Sequence, residues 1–311
     1  MGRNQSKFKK AQKAQEQRER QIIPKKLEYQ INEGRKFHTI ENVKYFLPND
    51  EEENDRLHLQ HFMWRYVWQS NYSAPVDDLL KKSGVKVLDM GCGAGSWLFE
   101  LATEFSLASF TGVDISPVIP LTIKPKNVNF IQGNILDGLP FEDNTFDFVH
   151  QRLLVGAFPL NKWQDVTNEL VRILKPGGYL ELMEVYCGIP PMGPITERLS
   201  NAVIELMHQQ GQDPNIAGRI KLFMEANGQI ENIVQEEKFG SYSKDSGRLS
   251  EIGIENHIAL YTGFKSKLSK IMDISSENYD KLVKIMAKEM PDYNSRSHTI
   301  RVYGRKKFHK N

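Results

Sequence analysis

V-K-V-L-D-M-G-C-G-A-G-S-W, residues 85–97, decides how this chain folds. Val85, Val87, Leu88 and Met90 form a short apolar run, the pattern of a strand buried in a parallel sheet. Gly91, Gly93 and Gly95 follow, and then Trp97, Leu98, Leu101 and Ala102 recur at helical spacing. The stretch reads strand, glycine turn, helix. Such a turn lets a ligand lie against bare backbone, with the N–H groups of a helix start pointing at it.

Glycine spacing alone serves several chemistries. A dinucleotide fingerprint counted from Gly91 needs its last glycine where Ser96 stands, and no Gly-Lys-Ser/Thr is present for a P-loop. What remains is acidic-x-G-x-G-x-G, with Asp89 leading. A carboxylate at that place repels a pyrophosphate but pairs with an ammonium. A zwitterionic amino-acid ligand is therefore expected, its amine near Asp89 and its carboxylate near backbone N–H groups.

Further segments extend the pattern. Phe110–Val113 reads as the second strand and ends at Asp114, 19 residues after Gly95. A carboxylate there can accept from two ribose hydroxyls at once. Strands are expected at 127–132, 146–150, 179–185, 234–239 and 299–303. Lys175-Pro176-Gly177-Gly178 stops the helix before the fifth. About sixty residues of helical periodicity separate the last two strands, far more than the two to five of a hairpin loop. Leu59, Phe62, Met63, Tyr66 and Val67 stripe a helix ahead of the sheet, which places His61, Arg65 and Tyr66 as candidates to face substrate.

In this order, V-L-D-M-G-C-G-A-G (87–95), G-V-D-I-S (112–116), Q-G-N-I-L-D-G-L-P-F (132–141), F-D-F-V-H-Q-R-L-L (146–154) and L-K-P-G-G-Y-L-E-L (174–182) resemble the class I S-adenosylmethionine-dependent methyltransferases. E-N-D-R-L-H-L-Q-H at 53–61 narrows the resemblance to the fungal TAM-domain type, grouped with trans-aconitate methyltransferase. The resemblance implies an α/β, Rossmann-like fold. Its seven-stranded, mostly parallel sheet would carry helices on both faces and an inserted helical cap. It also implies S-adenosyl-L-methionine as cofactor, held by Asp89, Gly91, Cys92, Gly93, Gly95, Trp97, Asp114, Ile115, Asn134, Ile135, Gln151 and Arg152. Asn134 stands where the family carries an aspartate that accepts from the adenine amino group. On that reading Asn134→Asp preserves or tightens binding.

The expected division is a basic tail over 1–26, an N-terminal helical lid segment over 27–80, and a methyltransferase domain over 81–311 with a helical insertion at about 241–295. The tail holds nine basic and two acidic residues, which leaves −5 on the remainder of a chain whose net charge is +2. An acidic body is a poor partner for nucleic acid. The tail suits attachment, and Met-Gly-Arg-Asn-Gln-Ser fits the outline of N-myristoylation at Gly2, with Arg3 against it. An acylated Gly2 would add peripheral membrane contact to a cytoplasmic or nuclear location. Cys92 and Cys187 form neither a disulfide framework nor a metal spacing.

Methyl transfer from a sulfonium needs alignment and exclusion of water, and a base only where the acceptor atom loses a proton. His61, His150, His208 and Glu184 are the bases on offer, and the sequence assigns no catalytic residue among them. The methyl acceptor is a small molecule or a protein. The competing reading is a regulatory protein that binds the cofactor with little turnover. A nucleotide-dependent oxidoreductase is disfavoured by Ser96.

Overall fold

The computed structural model describes residues 29–38, 46–116 and 124–308. The basic stretch 1–26 and Gly2 lie outside the described residues. In chain order the elements are β1 (Tyr29–Asn32), β2 (Arg35–His38), α1 (Glu51–Trp68), α2 (Asp77–Leu80), β3 (Lys86–Met90), α3 (Ser96–Glu104), β4 (Ser109–Asp114), β5 (Val128–Gln132), β6 (Phe146–Arg152), α4 (Trp163–Ile173) and β7 (Leu174–Val185). There follow α5 (Pro194–Gln209), α6 (Ile220–Asn227), β8 (Ile230–Ser241), α7 (Arg248–Ile271), α8 (Ser276–Asp292) and β9 (Arg296–Lys306). The expected seven-stranded sheet is present, ordered β5-β4-β3-β6-β7-β9-β8. It is parallel from β5 to β7, and β9 runs antiparallel to both its neighbours.

Alternation along the strands builds two cores. Val87, Phe110, Phe130 and Phe148 pack on Trp97, Leu98 and Leu101 of α3. Leu88, Val113, Val149 and Leu182 face the other way, onto Trp163, Val166 and Leu170 of α4 and Ile220 and Met224 of α6. A third core joins α1, α5, α7 and α8 through Trp64, Trp68, Leu199, Phe264, Tyr279 and Met286. The long β8–β9 connection is thus α7 and α8, packed on α1 and α5. Among the described residues, no helix is long and apolar enough to cross a membrane.

Two expectations for the N-terminal segment need correction. Residues 29–38 form an antiparallel hairpin, not helix. Its turn is Glu33-Gly34, with φ of 50° and 79°, the twist that closes a tight hairpin. Tyr29 and Ile31 are exposed, so no apolar face announces it. In α1 the helix is correct but its buried face follows the apolar stripe only in part, through Met63 and the half-buried Leu59 and Val67. Phe62 and Tyr66 are exposed, while Glu53, Arg56 and His61 are buried beside Met63, Trp64 and Trp68. Those polar groups go inward because each has a partner there: Arg56 forks onto Glu53 at 2.6 and 2.9 Å, and His61 meets Glu100 at 2.8 Å.

Candidate active site

The strand order reverses at β3 and β6, which opens a crevice beyond their carboxyl ends. The glycine turn floors it. Gly91, Gly93 and Gly95 have φ of 71°, 52° and 81°, where a side chain would be strained. A Cβ on Gly91 would also stand 2.7 Å from Leu154, and one on Gly95 2.9 Å from Phe130. Gly91 therefore lets β6's exit loop close against the turn, and Gly95 lets α3 start against β5.

A cavity of about 340 Å³ lies here. It is bordered by the glycine turn, Asp114–Ser116, Gly133–Leu136 and Arg152–Leu154, with Glu53, Asn54, Leu57 and Gln60 of α1 closing it. Asp114 is its anchor. Oδ2 accepts the Gly93 N–H and Oδ1 the Ser116 N–H, both at 2.8 Å. Each oxygen keeps lone-pair capacity for the cavity. Burial pushes the Asp114 carboxyl up from its usual range, and those two N–H groups pull against the rise. The Asn49 amide, Asn54 Oδ1, Ser116 Oγ and Gln212 Oε1 also border the cavity, buried and without a partner among the described residues. Such atoms are costly unless a ligand or water satisfies them.

Eight of the twelve expected cofactor residues border this cavity: Gly91, Cys92, Gly93, Asp114, Ile115, Asn134, Ile135 and Arg152. Asp89, Gly95, Trp97 and Gln151 do not. The Asp89 carboxylate is taken by His150, whose Nδ1 lies 2.7 Å from Oδ1. That bond engages one of its two carboxylate oxygens, and Asp89 lies behind the cavity lining. Trp97 points away from the cavity, stacked on the His150 ring at 4.0 Å and 3° and donating Nε1–H to the Asn71 carbonyl at 2.8 Å. Gln151 is wholly buried in β6, with its amide beside the Glu184 carboxyl. Gly95 acts through packing alone. Asn49, Asn54, Ser116 and Gln212 went unread in the sequence. Asn54 lay in the recognised run E-N-D-R and Ser116 at the end of G-V-D-I-S, while Asn49 and Gln212 lay in none.

The offered bases fare no better. His150 is locked between Asp89 and Trp97. His208 is an exposed residue of α5. Glu184 is buried in β7, where its Oε1 accepts the Leu154 N–H at 2.9 Å. His61 accepts at Nδ1 from the Arg152 guanidinium at 3.0 Å and so donates Nε2–H to Glu100. Burial and the Arg152 charge pull its pKa down to about 4, so it is neutral. Arg65 also meets Glu100, at 3.1 Å, and Tyr66 points to solvent. His61, Arg65 and Tyr66 thus brace α1 or leave the site; none borders the cavity.

Asn134 borders the cavity with its side chain already engaged. Its Oδ1 accepts the Leu136 N–H at 3.1 Å, and its Nδ2 donates to Asp137 at 3.2 Å. This reverses the expectation for Asn134→Asp, because two carboxylates would then face each other across the turn. The substitution should weaken cofactor binding, and Asn134→Asp with Asp137→Asn should restore it. Calorimetric titration of both variants checks this; tighter binding by the single variant would refute the local geometry.

Residues 87–178 match the family model described as "Methyltransferase domain". That stretch is similar to a methyltransferase domain. Its match covers β3 to the start of β7, the strands whose ends floor the cavity. Over 194 residues the chain is 28% identical to the N-methyltransferase verN of Clonostachys rogersoniana, covering 55% of this chain and 67% of that one. It is 36% identical over 141 residues to the N-methyltransferase sirN of Leptosphaeria maculans, covering 45% and 49%. To the secondary metabolism regulator laeA of Coprinopsis cinerea it is 32% identical over 166 residues, covering 52% and 40%. The chain thus spans half or less of the length of two of these relatives. S-adenosylmethionine is the cofactor that the methyltransferase domain calls for, and the donor set fits it. Asp114 suits a diol, Ile115, Ile135 and Leu136 suit a flat base, and Arg152 with the orphaned amides suits a zwitterion.

Proposed function

We propose that this chain is an S-adenosylmethionine-dependent methyltransferase acting on a small-molecule or protein acceptor. The cavity at the reversal of strand order carries the reading: it is bordered both by Asp114, with spare acceptor capacity, and by amides that have no partner among the described residues. The closer kinship with the TAM-domain type belongs to this proposal. It is supported by the 53–61 run, which supplies Glu53, Asn54, Leu57 and Gln60 to the cavity wall.

The bound cofactor supplies a methyl group on a sulfonium, already activated for in-line displacement. The chain's own residues hold and shield it. Asp114 accepts the ribose hydroxyls, and Ile115, Ile135 and Leu136 cover the faces of the base. Arg152 is the cation for the amino-acid carboxylate, replacing the backbone-only contact expected from sequence. The amide oxygens of Asn49 and Asn54 would accept from the ammonium. α1 keeps water out. It is held down by the series Arg152, His61, Glu100 and Arg65.

Asp114→Ala should weaken S-adenosylmethionine binding by about 1.5–3 kcal/mol, the scale of hydrogen bonds to a charged group. Titration calorimetry of folded wild type and variant measures it; equal affinities would remove Asp114 from the site. A second reading, a cofactor-binding regulator with little turnover, draws support from the similarity to laeA. Incubation with methyl-labelled cofactor and a cell extract separates the two. A labelled product supports the methyltransferase, and saturable binding without any labelled product supports the regulator.

A further inference from the structure

A second cavity, of about 180 Å³, adjoins the first and shares Leu57, Gln60, Leu153, Leu154 and Ala157 with it. Its own walls come from the loop before α1, the end of β7, α5 and α7. Phe46, Val185, Val203, Leu260, Tyr261 and Phe264 make it apolar and aromatic. Among the described residues no carboxylate borders it, and the one guanidinium, Arg56, forks onto Glu53 and donates to Asn256 at 3.2 Å. Apart from this Arg56–Glu53 pair, no described residue of these walls offers a charge to a ligand. The size suits one ring with its substituents, since an apolar cavity of about 150 Å³ accommodates benzene.

His257 of α7 borders this space. Its Nδ1 lies 2.8 Å from the Gly253 carbonyl oxygen one turn back. A carbonyl only accepts, so Nδ1 carries the proton and Nε2 is left as an acceptor. Burial, with the Arg56 charge adding, pulls the His257 pKa down to about 4. The ring is neutral at physiological pH and is a weak base.

Resting on the methyltransferase reading, we propose that the second cavity is the methyl-acceptor site for a neutral, ring-bearing molecule with an O–H or weakly basic N–H, and that His257 Nε2 receives that proton. The step balances. The acceptor's lone pair forms the new bond to the methyl carbon, and the carbon–sulfur bond breaks with its electrons left on sulfur as a thioether. The proton on the now positive acceptor atom passes to Nε2. A methylated phenol or arylamine is acidic enough to give its proton to a weak base. An alkylammonium, with a pKa near 10, is not, and enters charged with no carboxylate to meet it.

The test uses the full chain saturated with S-adenosylhomocysteine. A phenol, an aniline, an alkylamine of similar size and benzoate are compared by equilibrium dialysis. The two neutral ring compounds should bind at least tenfold tighter than the charged pair. Val203→Trp, which fills the second cavity only, should abolish that binding while leaving cofactor affinity in place. With labelled cofactor and an accepted substrate, His257→Phe should lower kcat by 10²–10⁴-fold, with KM little changed. Preferred binding of the alkylamine or benzoate, ring binding indifferent to Val203→Trp, or an unchanged kcat in His257→Phe would each overturn the proposal. Selective ring binding with no methyl transfer to any compound would instead overturn the methyltransferase reading and the role of His257 with it, while the neutral-ring class of the cavity stands.

Discussion

Trp97→Ala should destabilise the fold by about 3–5 kcal/mol, the usual cost of emptying the place of a large buried aromatic. Trp97 is 1% exposed, fills the junction between α3 and the sheet, and lies flat on His150. Its loss also strands the Asn71 carbonyl and frees one face of the imidazole that holds Asp89. Trp97→Phe keeps an aromatic plane in the stack and should cost markedly less. Urea unfolding of the three proteins measures the series. A loss below about 1 kcal/mol in the alanine variant would mean that the indole is not packed there, and would return it to the cofactor site that the sequence had suggested.

A second large effect depends on pH. Burial pushes the Glu184 carboxyl up to about 8, against the pull of the Leu154 and Val155 N–H groups and the Gln151 amide. In the unfolded chain a glutamate titrates near 4.3. Between those values the folded protein binds the extra proton, so this group's contribution to stability is complete below about pH 4 and is lost as pH rises through 8. Glu184→Gln removes the titration and keeps an acceptor for the Leu154 N–H. The stability of this variant relative to wild type should therefore grow by roughly 3–4 kcal/mol between pH 5 and pH 8, at about 1.4 kcal/mol per unit. Denaturant unfolding at pH 5, 6.5 and 8 follows the difference. A constant difference would show that Glu184 is ionised in the fold.

The strand, turn and helix of residues 85–104 were legible because each is a local pattern: an apolar run, alternating glycines, a helical period. Asp114 was legible for a related reason, since a strand of known length delivers its last residue to a known edge. The partners of Asp89 and Trp97 were not legible because they are remote in sequence. Glycine spacing says where the backbone must bend, not that His150, 61 residues on, will occupy the carboxylate. α1 misled through its apolar stripe. His61 was read as facing substrate and Arg56 went unread, because Glu53 and Glu100, which draw them inward, are seen beside them only in the fold. Asn134 was the nearest miss. An asparagine three residues before Asp137 is a local turn signature, and it was read for its ligand alone.

The two cavities draw their walls from different stretches of the chain. Most of the first comes from residues 48–162, and most of what belongs to the second alone comes from 185–297. Substitutions in the later stretch can therefore accumulate without touching Asp114 or the glycine turn. A chimera that joins the first half of this chain to the second half of a relative, cut in the loop after β7, would inherit its methyl donor from one parent and its acceptor preference from the other. On the proposed roles of the two cavities, the same division would let a lineage change its acceptor while its hold on the donor stays put.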